Sequence, residues 1–216
     1  MLKYNHMNDI KLIIFDINGT LVGDDTWPKF HGALGMTEEE DQLLWQLNNE
    51  GVMPNRIWME VVNGIYQKRG KATKETINKT LLEYTYEPGA KEVVEELRQR
   101  YELALISGAP DAMVEQVAKE LNIDLFGSNA LLLYNDDDTL REMIVLNEEP
   151  EGKLIYLQAF CRRLGISPDQ VVCVGDGAND VELFRATKHG ITFKGSTIEN
   201  EAWKVVDSLH DLSALL

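Results

Sequence analysis

Basic residues are scarce in this chain: 21 lysines and arginines stand against 36 aspartates and glutamates, a formal net charge of −15. A nucleic-acid partner needs a basic face to neutralise phosphates, so that class of function is not expected. There are only two cysteines. Cys161 falls in an amphipathic helical pattern and Cys173 inside an apolar strand pattern, so both read as small core residues, not as a disulfide framework. His6, His31, His189 and His210 show no metal-ligand spacing with one another or with the cysteines, which disfavours zinc. Long apolar runs are missing too. The longest early one is Leu12 to Phe15 and is flanked by charges, so no secretory or membrane-spanning segment is read and a cytoplasmic location is expected. No repeat or low-complexity segment is present.

What the chain does contain is enough apolar material, 44% over 216 residues, to bury a substantial core. Lys11 to Thr20 reads KLIIFDINGT. Leu12 to Phe15 has the unbroken apolar character of a strand buried on both faces of a parallel sheet, and it stops at Asp16. The following Ile17-Asn18-Gly19-Thr20 offers close-packed amides, a residue free to take positive φ and a hydroxyl, which suits an anion. Taken alone, the segment equally fits a strand followed by an Asx-type turn. A second stretch, Gln170 to Asp180, reads QVVCVGDGAND and repeats the design with Asp176 at a strand tip and Asp180 at a helix start. In open α/β sheets ligands gather outside the carboxyl ends of the strands, so Asp16, Asp176 and Asp180 are expected to converge. Three unpaired carboxylates repel one another. A hard divalent cation with oxygen ligands removes the repulsion, and Mg²⁺ fits better than zinc.

Asp16-x-Asn18-x-Thr20, then Ser107-Gly108 after an apolar strand, Lys153 early in a helix, and Gly175-Asp176-Gly177-Ala178-Asn179-Asp180 follow in order along the chain. This pattern resembles the four motifs of the haloacid dehalogenase-like phosphatases, with the phosphoserine phosphatase-like branch the nearest likeness. The resemblance covers nearly the whole chain. It implies an α/β fold, a Rossmann-like parallel sheet core flanked by helices, with an inserted helical (C1-type) cap.

The residue pattern agrees with an insert. Helical periodicity over Thr37 to Asn49, Pro54 to Arg69 and Thr73 to Tyr84 predicts a small bundle within residues 23–87, with the α/β core in 1–22 and 88–216. Trp27, Trp45 and Trp58 read as bundle core, or one or two of them as pocket wall. Downstream, helices are predicted over Ala90 to Arg100, Asp111 to Asn122 and Glu151 to Leu164. Strands are predicted over Leu103 to Ile106, near Asp124 to Phe126 and over Gly190 to Phe193, with a possible edge strand at Val205-Val206. Ala130 to Tyr134 and Thr139 to Val145 are predicted to form a hairpin across Asn135 to Asp138. Lys153 on an isolated sequence reads as a surface lysine opposing its helix dipole.

By resemblance, Asp16 is the nucleophile that forms an aspartyl phosphate. Asp16, the backbone carbonyl of Asn18, Asp176 and Asp180 are the Mg²⁺ site, and Thr20, Ser107, Gly108, Lys153 and Asn179 hold the phosphate, with Lys153 also pairing with the nucleophile. The branch reads a substrate amine with an acidic cap residue, to which Asp25 corresponds, and a carboxylate with an arginine. At the latter's helix turn stand Val61 and Val62, with Arg56 and Trp58 nearby, so serine recognition is not implied. A small phosphorylated metabolite is the expected partner.

Asn18 departs from the family, which carries Asp there. That residue protonates the leaving alkoxide and then activates water, a role worth about 10²–10⁴ in rate, and a carboxamide cannot fill it. Slow turnover, a binding or regulatory protein without turnover, an engineered Asp-to-Asn substitution, or deamidation at Asn18-Gly19 are the readings this leaves open. A phosphomutase would lack the same group.

Overall fold

The computed structural model describes residues 9–23, 26–146 and 149–216. The first strand, β1 (Leu12–Phe15), is followed by α1 (Thr26–Ala33), α2 (Glu38–Asn49), α3 (Asn55–Arg69) and α4 (Lys74–Leu81). Strand and helix then alternate: α5 (Ala90–Leu97), β2 (Glu102–Pro110), α6 (Asp111–Glu120), β3 (Leu125–Tyr134), β4 (Leu140–Val145), α7 (Glu149–Leu164) and β5 (Val171–Val174). The chain ends in α8 (Val181–Thr187), β6 (Gly190–Phe193), β7 (Lys204–Val206) and α9 (Asp211–Leu215). The strands form one sheet in the order β4-β3-β2-β1-β5-β6-β7. Every neighbouring pair is parallel except β3 with β4.

Successive side chains of a strand point to opposite faces, so a strand covered on both sides must be apolar throughout. The central strands follow this rule residue by residue. Ile13, Phe15, Leu103, Leu105, Val172 and Val174 enter one core, whereas Leu12, Ile14, Ala104, Ile106, Val171 and Cys173 enter the other. The first core is closed by α5, α6 and α9 through Val93, Val94, Met113, Val117 and Leu212. The second is closed by α7 and α8 through Leu157, Phe160, Leu183 and Phe184. Both cysteines are buried and free, as expected. Among the described residues no helix is long and apolar enough to cross a membrane.

From β1 the chain builds outward through β2 and β3 to one side, and from β5 through β6 and β7 to the other. The sheet therefore changes direction between β1 and β5, which opens a crevice at their carboxyl ends. Asp16 and Asp176 follow those two ends.

The helices between β1 and α5 are organised by local signals. Thr37 caps α2 with a reciprocal pair: its hydroxyl accepts from the Glu40 N–H at 3.2 Å, and its own N–H donates to the Glu40 carboxylate at 2.9 Å. Arg69 at the end of α3 makes two parallel bonds to that same carboxylate, each 2.7 Å, tying α3 to the start of α2. Asn63 of α3 reaches the free edge of β4: its amide donates to the Met143 carbonyl at 2.9 Å and accepts from the Met143 N–H at 2.8 Å. The side chain thus does for that edge what a further strand would do.

Several sequence expectations need correction. β2 runs on through Ser107 to Pro110 beside β3, with a register shift between Ser107 and Pro110, so Ser107-Gly108 lies within an irregular strand end and not after it. The segments near Asp124 to Phe126 and Ala130 to Tyr134 are one strand, β3, whose first half pairs with β2 and whose second half pairs with β4. α1 is a fourth helix of the insert, beyond the three that helical periodicity predicts. Its Pro28 lies in the first turn, where no backbone N–H is required. Pro54 precedes α3 instead of occupying its first turn.

Candidate active site

The loop after β1 is anchored by burial. Ile17, Leu21 and Val22 are wholly enclosed, and Leu21 and Val22 donate their N–H groups to the Ile17 carbonyl at 2.9 and 2.8 Å. Between these anchors Gly19 takes φ +74°, and a Cβ there would lie 2.2 Å from an Asp176 carboxylate oxygen. Only glycine lets the backbone come so close. The β5 loop is fixed in turn by Ser196, whose hydroxyl donates to the Asp176 carbonyl at 2.8 Å.

Asp16, Asp176 and Asp180 each offer a carboxylate oxygen, and these oxygens all lie within 4.8 Å of one another. Lys153, 1% exposed, reaches into the cluster from the second turn of α7, which starts at Glu149 and so two residues before the expected Glu151, with Nζ 2.6 Å from Asp180 and 3.3 Å from Asp16. The other Asp180 oxygen accepts from the Gly177 N–H at 3.2 Å. Burial, then the neighbouring Asp16, raises the Asp176 carboxyl above its ordinary range. Asp180 is raised mainly by burial, and Lys153 partly opposes the rise. Three acids, Asp16 and Asp180 buried and Asp176 half-buried, outnumber the one ammonium, and an all-oxygen donor set of this spacing suits a hard divalent cation such as Mg²⁺.

Above the cluster lies a cleft of about 1090 Å³ walled by α1, α2, α3 and the sheet edge. Asp16, Asn18, Ser107, Gly108, Asp176 and Asn179 all face it. The Asn18 carboxamide oxygen accepts from the Thr26 hydroxyl at 3.3 Å. Thr20 is brought to the carboxylates and not to the cleft wall: it is fully buried, and its hydroxyl donates to Asp176 at 3.1 Å. Trp58 lines the cleft, but Arg56 is not brought to it. The Arg56 side chain is 78% exposed and pairs with Glu60 at 2.6 Å, because two positions of helical rotation turn it away from the face that Trp58 presents. Asp25 lies outside the described residues.

Trp27, Trp45 and Trp58 all line the cleft, and Trp45 is 65% exposed, which corrects the bundle-core expectation for it. Sequence reasoning missed His31, Asp41 and Asn129. His31 Nδ1 and Asp41 Oδ1 are hydrogen-bonded at 2.6 Å on the cleft wall, joining α1 to α2. Asn129 is a buried amide of β3 at the sheet edge. His31 and Asp41 follow no motif spacing, while Asn129 leaves one trace: Ser128-Asn129 interrupts the apolar character of its strand.

Comparisons with known proteins converge. The family model described as haloacid dehalogenase-like hydrolase matches residues 10–187. The chain is 29% identical over 213 residues to the phosphoserine phosphatase of Methanocaldococcus jannaschii, covering 95% of this chain and 96% of that protein. It is 27% identical over 218 residues to the phosphoserine phosphatase of Wolinella succinogenes, covering 96% and 98%. A solved structure described as a phospho-aspartyl intermediate analogue of phosphoserine phosphatase matches with TM-score 0.75 at 25% identity, over 96% of this chain and 99% of that one. A probable phosphoserine phosphatase from Vibrio cholerae, at 17% identity and TM-score 0.77, shares the fold over 96% of this chain and 66% of its own.

Proposed function

The chain belongs to the haloacid dehalogenase-like hydrolases, and from that premise we propose that it is a Mg²⁺-dependent phosphatase acting on a small phosphorylated metabolite through an aspartyl phosphate at Asp16. One observation carries the proposal: three carboxylates from two strand-end loops, within 4.8 Å of one another, with a buried lysine against two of them. The named relatives act, by their names, on phosphoserine.

An Asp16 oxygen attacks phosphorus; the new O–P bond forms as the ester P–O bond breaks, and the alkoxide departs. Water then attacks the acyl phosphate, releasing phosphate and restoring Asp16. Asp16, the Asn18 carbonyl, Asp176 and Asp180 are proposed to hold Mg²⁺, which when bound supplies the positive charge that lets a carboxylate meet a phosphate. Lys153, Ser107, Gly108 and Asn179 are assigned to the phosphate oxygens. Thr20, with its hydroxyl given to Asp176, is assigned to orienting that carboxylate. Residues 23–87 act as the cap over this edge. Asn18 cannot pass a proton to the alkoxide, so turnover of an unactivated phosphate ester is slow, and an activated ester whose leaving group needs no proton is hydrolysed faster.

The test is Mg²⁺-dependent hydrolysis of an activated aryl phosphate by the chain as it stands, beside Asp16→Ala and Asn18→Asp. Activity that Asp16→Ala abolishes and Asn18→Asp increases is expected. Hydrolysis that survives Asp16→Ala would contradict the proposal. Activity confined to Asn18→Asp favours the second reading that Asn18 supports, a protein that binds the phosphate ligand without turning it over.

A further inference from the structure

The cleft wall beyond the phosphate end has a consistent chemistry. On α2, the residues Gln42, Trp45, Gln46 and Asn49 fall at helical spacing i, i+3, i+4 and i+7, and all four line the cleft. They form a row of neutral amides about 10 Å long, at 1.5 Å per residue, interrupted by one indole. All four are exposed, so this face of α2 is open to the cleft and not packed into the bundle. Gln42 and Gln46 donate only to glutamates of their own helix, Glu38 and Glu50, in exposed contacts that a ligand readily replaces. Trp27 and Trp58 continue the wall on α1 and α3.

No lysine or arginine is among the described residues that line this cleft. Its ionic groups are the carboxylates of Asp16, Asp41 and Asp176, and Asp41 is hydrogen-bonded to His31 at 2.6 Å. Away from Lys153 and the proposed metal site, the carboxylate of a phosphorylated amino acid would meet Asp41, paired with His31, and no lysine or arginine, which is a penalty in any partly dehydrated site. A quaternary ammonium forms no hydrogen bonds and would leave the amide row unused. A nucleobase is a flat ring held best by stacking on its faces, and on α2 Trp45 is the one aromatic side chain in the row. Hydroxyl groups both donate and accept, as amides do, and the C–H face of a pyranose or polyol lies flat on an indole.

On the strength of the phosphatase function proposed above, we infer that the leaving group is a neutral polyhydroxylated one, so that the substrate is a sugar or polyol phosphate, read by the α2 amide row and Trp45. The test uses the full-length Asn18→Asp chain with Mg²⁺, measuring kcat/KM for a hexose 6-phosphate, O-phosphoserine, phosphocholine and a nucleoside 5′-monophosphate, with an aryl phosphate as reference. The hexose phosphate is expected to lead the other three metabolites by about tenfold or more. Trp45→Ala is expected to remove that lead mainly through KM, and Trp45→Phe to keep most of it. A lead for any of the other three, or a Trp45→Ala variant that lowers all four alike, would overturn the assignment. If no form hydrolyses the aryl phosphate, the chain is not a phosphatase. Calorimetric titration of the unsubstituted chain with hexose 6-phosphate and O-phosphoserine then still decides which class the cleft prefers, and stronger binding of phosphoserine refutes the sugar phosphate.

Discussion

At the scale of the residue, the acids were legible because each ends or follows a recognisable pattern. Asp16 and Asp176 interrupt apolar strands, and Asp180 opens a helix. Asn18 is the residue proposed to limit rate, and Asn18→Asp is expected to raise aryl phosphate turnover by about 10²–10⁴, read as kcat in a colorimetric assay. Gly19 is the residue that limits geometry. Gly19→Ala places a methyl group 2.2 Å from the Asp176 carboxylate at φ +74°. It is expected to lower stability by about 1–2 kcal/mol from the backbone conformation alone, and to displace Asp176, seen as a lower Tm and a weaker response to Mg²⁺. Arg56 shows where residue-level reading stops: nearness in sequence to the Val61-Val62 turn said nothing about which face of α3 would carry it.

At the scale of the element, the strands and most helices could be read from periodicity and caps, whereas the ties between them could not. Thr37 with Glu40 is visible as a capping box in sequence, yet the Arg69 that shares Glu40 lies 29 residues on. The Arg69 guanidinium, then the Thr37 N–H, holds the Glu40 carboxyl down from an ordinary 4.5 to about 2. A depressed carboxylate pKa stabilises the fold fully above the unfolded value and loses that contribution as pH falls through the folded one. Arg69→Met is therefore expected to lower Tm near neutral pH, with the deficit narrowing from about pH 4.5 downward as the pair in the parent chain protonates. Asn63 makes a second tie, invisible in sequence because its partner Met143 is 80 residues away. Asn63→Leu strands both backbone groups of an edge strand and is expected to cost about 1–3 kcal/mol, measured by urea unfolding.

At the scale of the whole molecule, the α/β alternation and the inserted helices were predictable, while the phase of α2 toward the cleft, and with it Trp45, emerges only when the bundle is packed. The carboxylate cluster is expected to set the molecule's response to metal. Because burial and Asp16 raise Asp176, its ionised form opposes folding at neutral pH when no cation is bound. Asp176→Asn is expected to match or exceed the parent Tm without metal and to lose the stabilisation by Mg²⁺, which for the parent is about 2.7 kcal/mol at a hundredfold excess over Kd. The decisive measurement is mass spectrometry of the unsubstituted chain quenched in acid after mixing with Mg²⁺ and an activated aryl phosphate. Asn18 is proposed to slow breakdown of the acyl phosphate, so one added phosphoryl group on the peptide carrying Asp16 is expected, absent when Mg²⁺ is chelated. A phosphoryl group on another side chain, or hydrolysis with Asp16 never modified, would contradict Asp16 as the nucleophile.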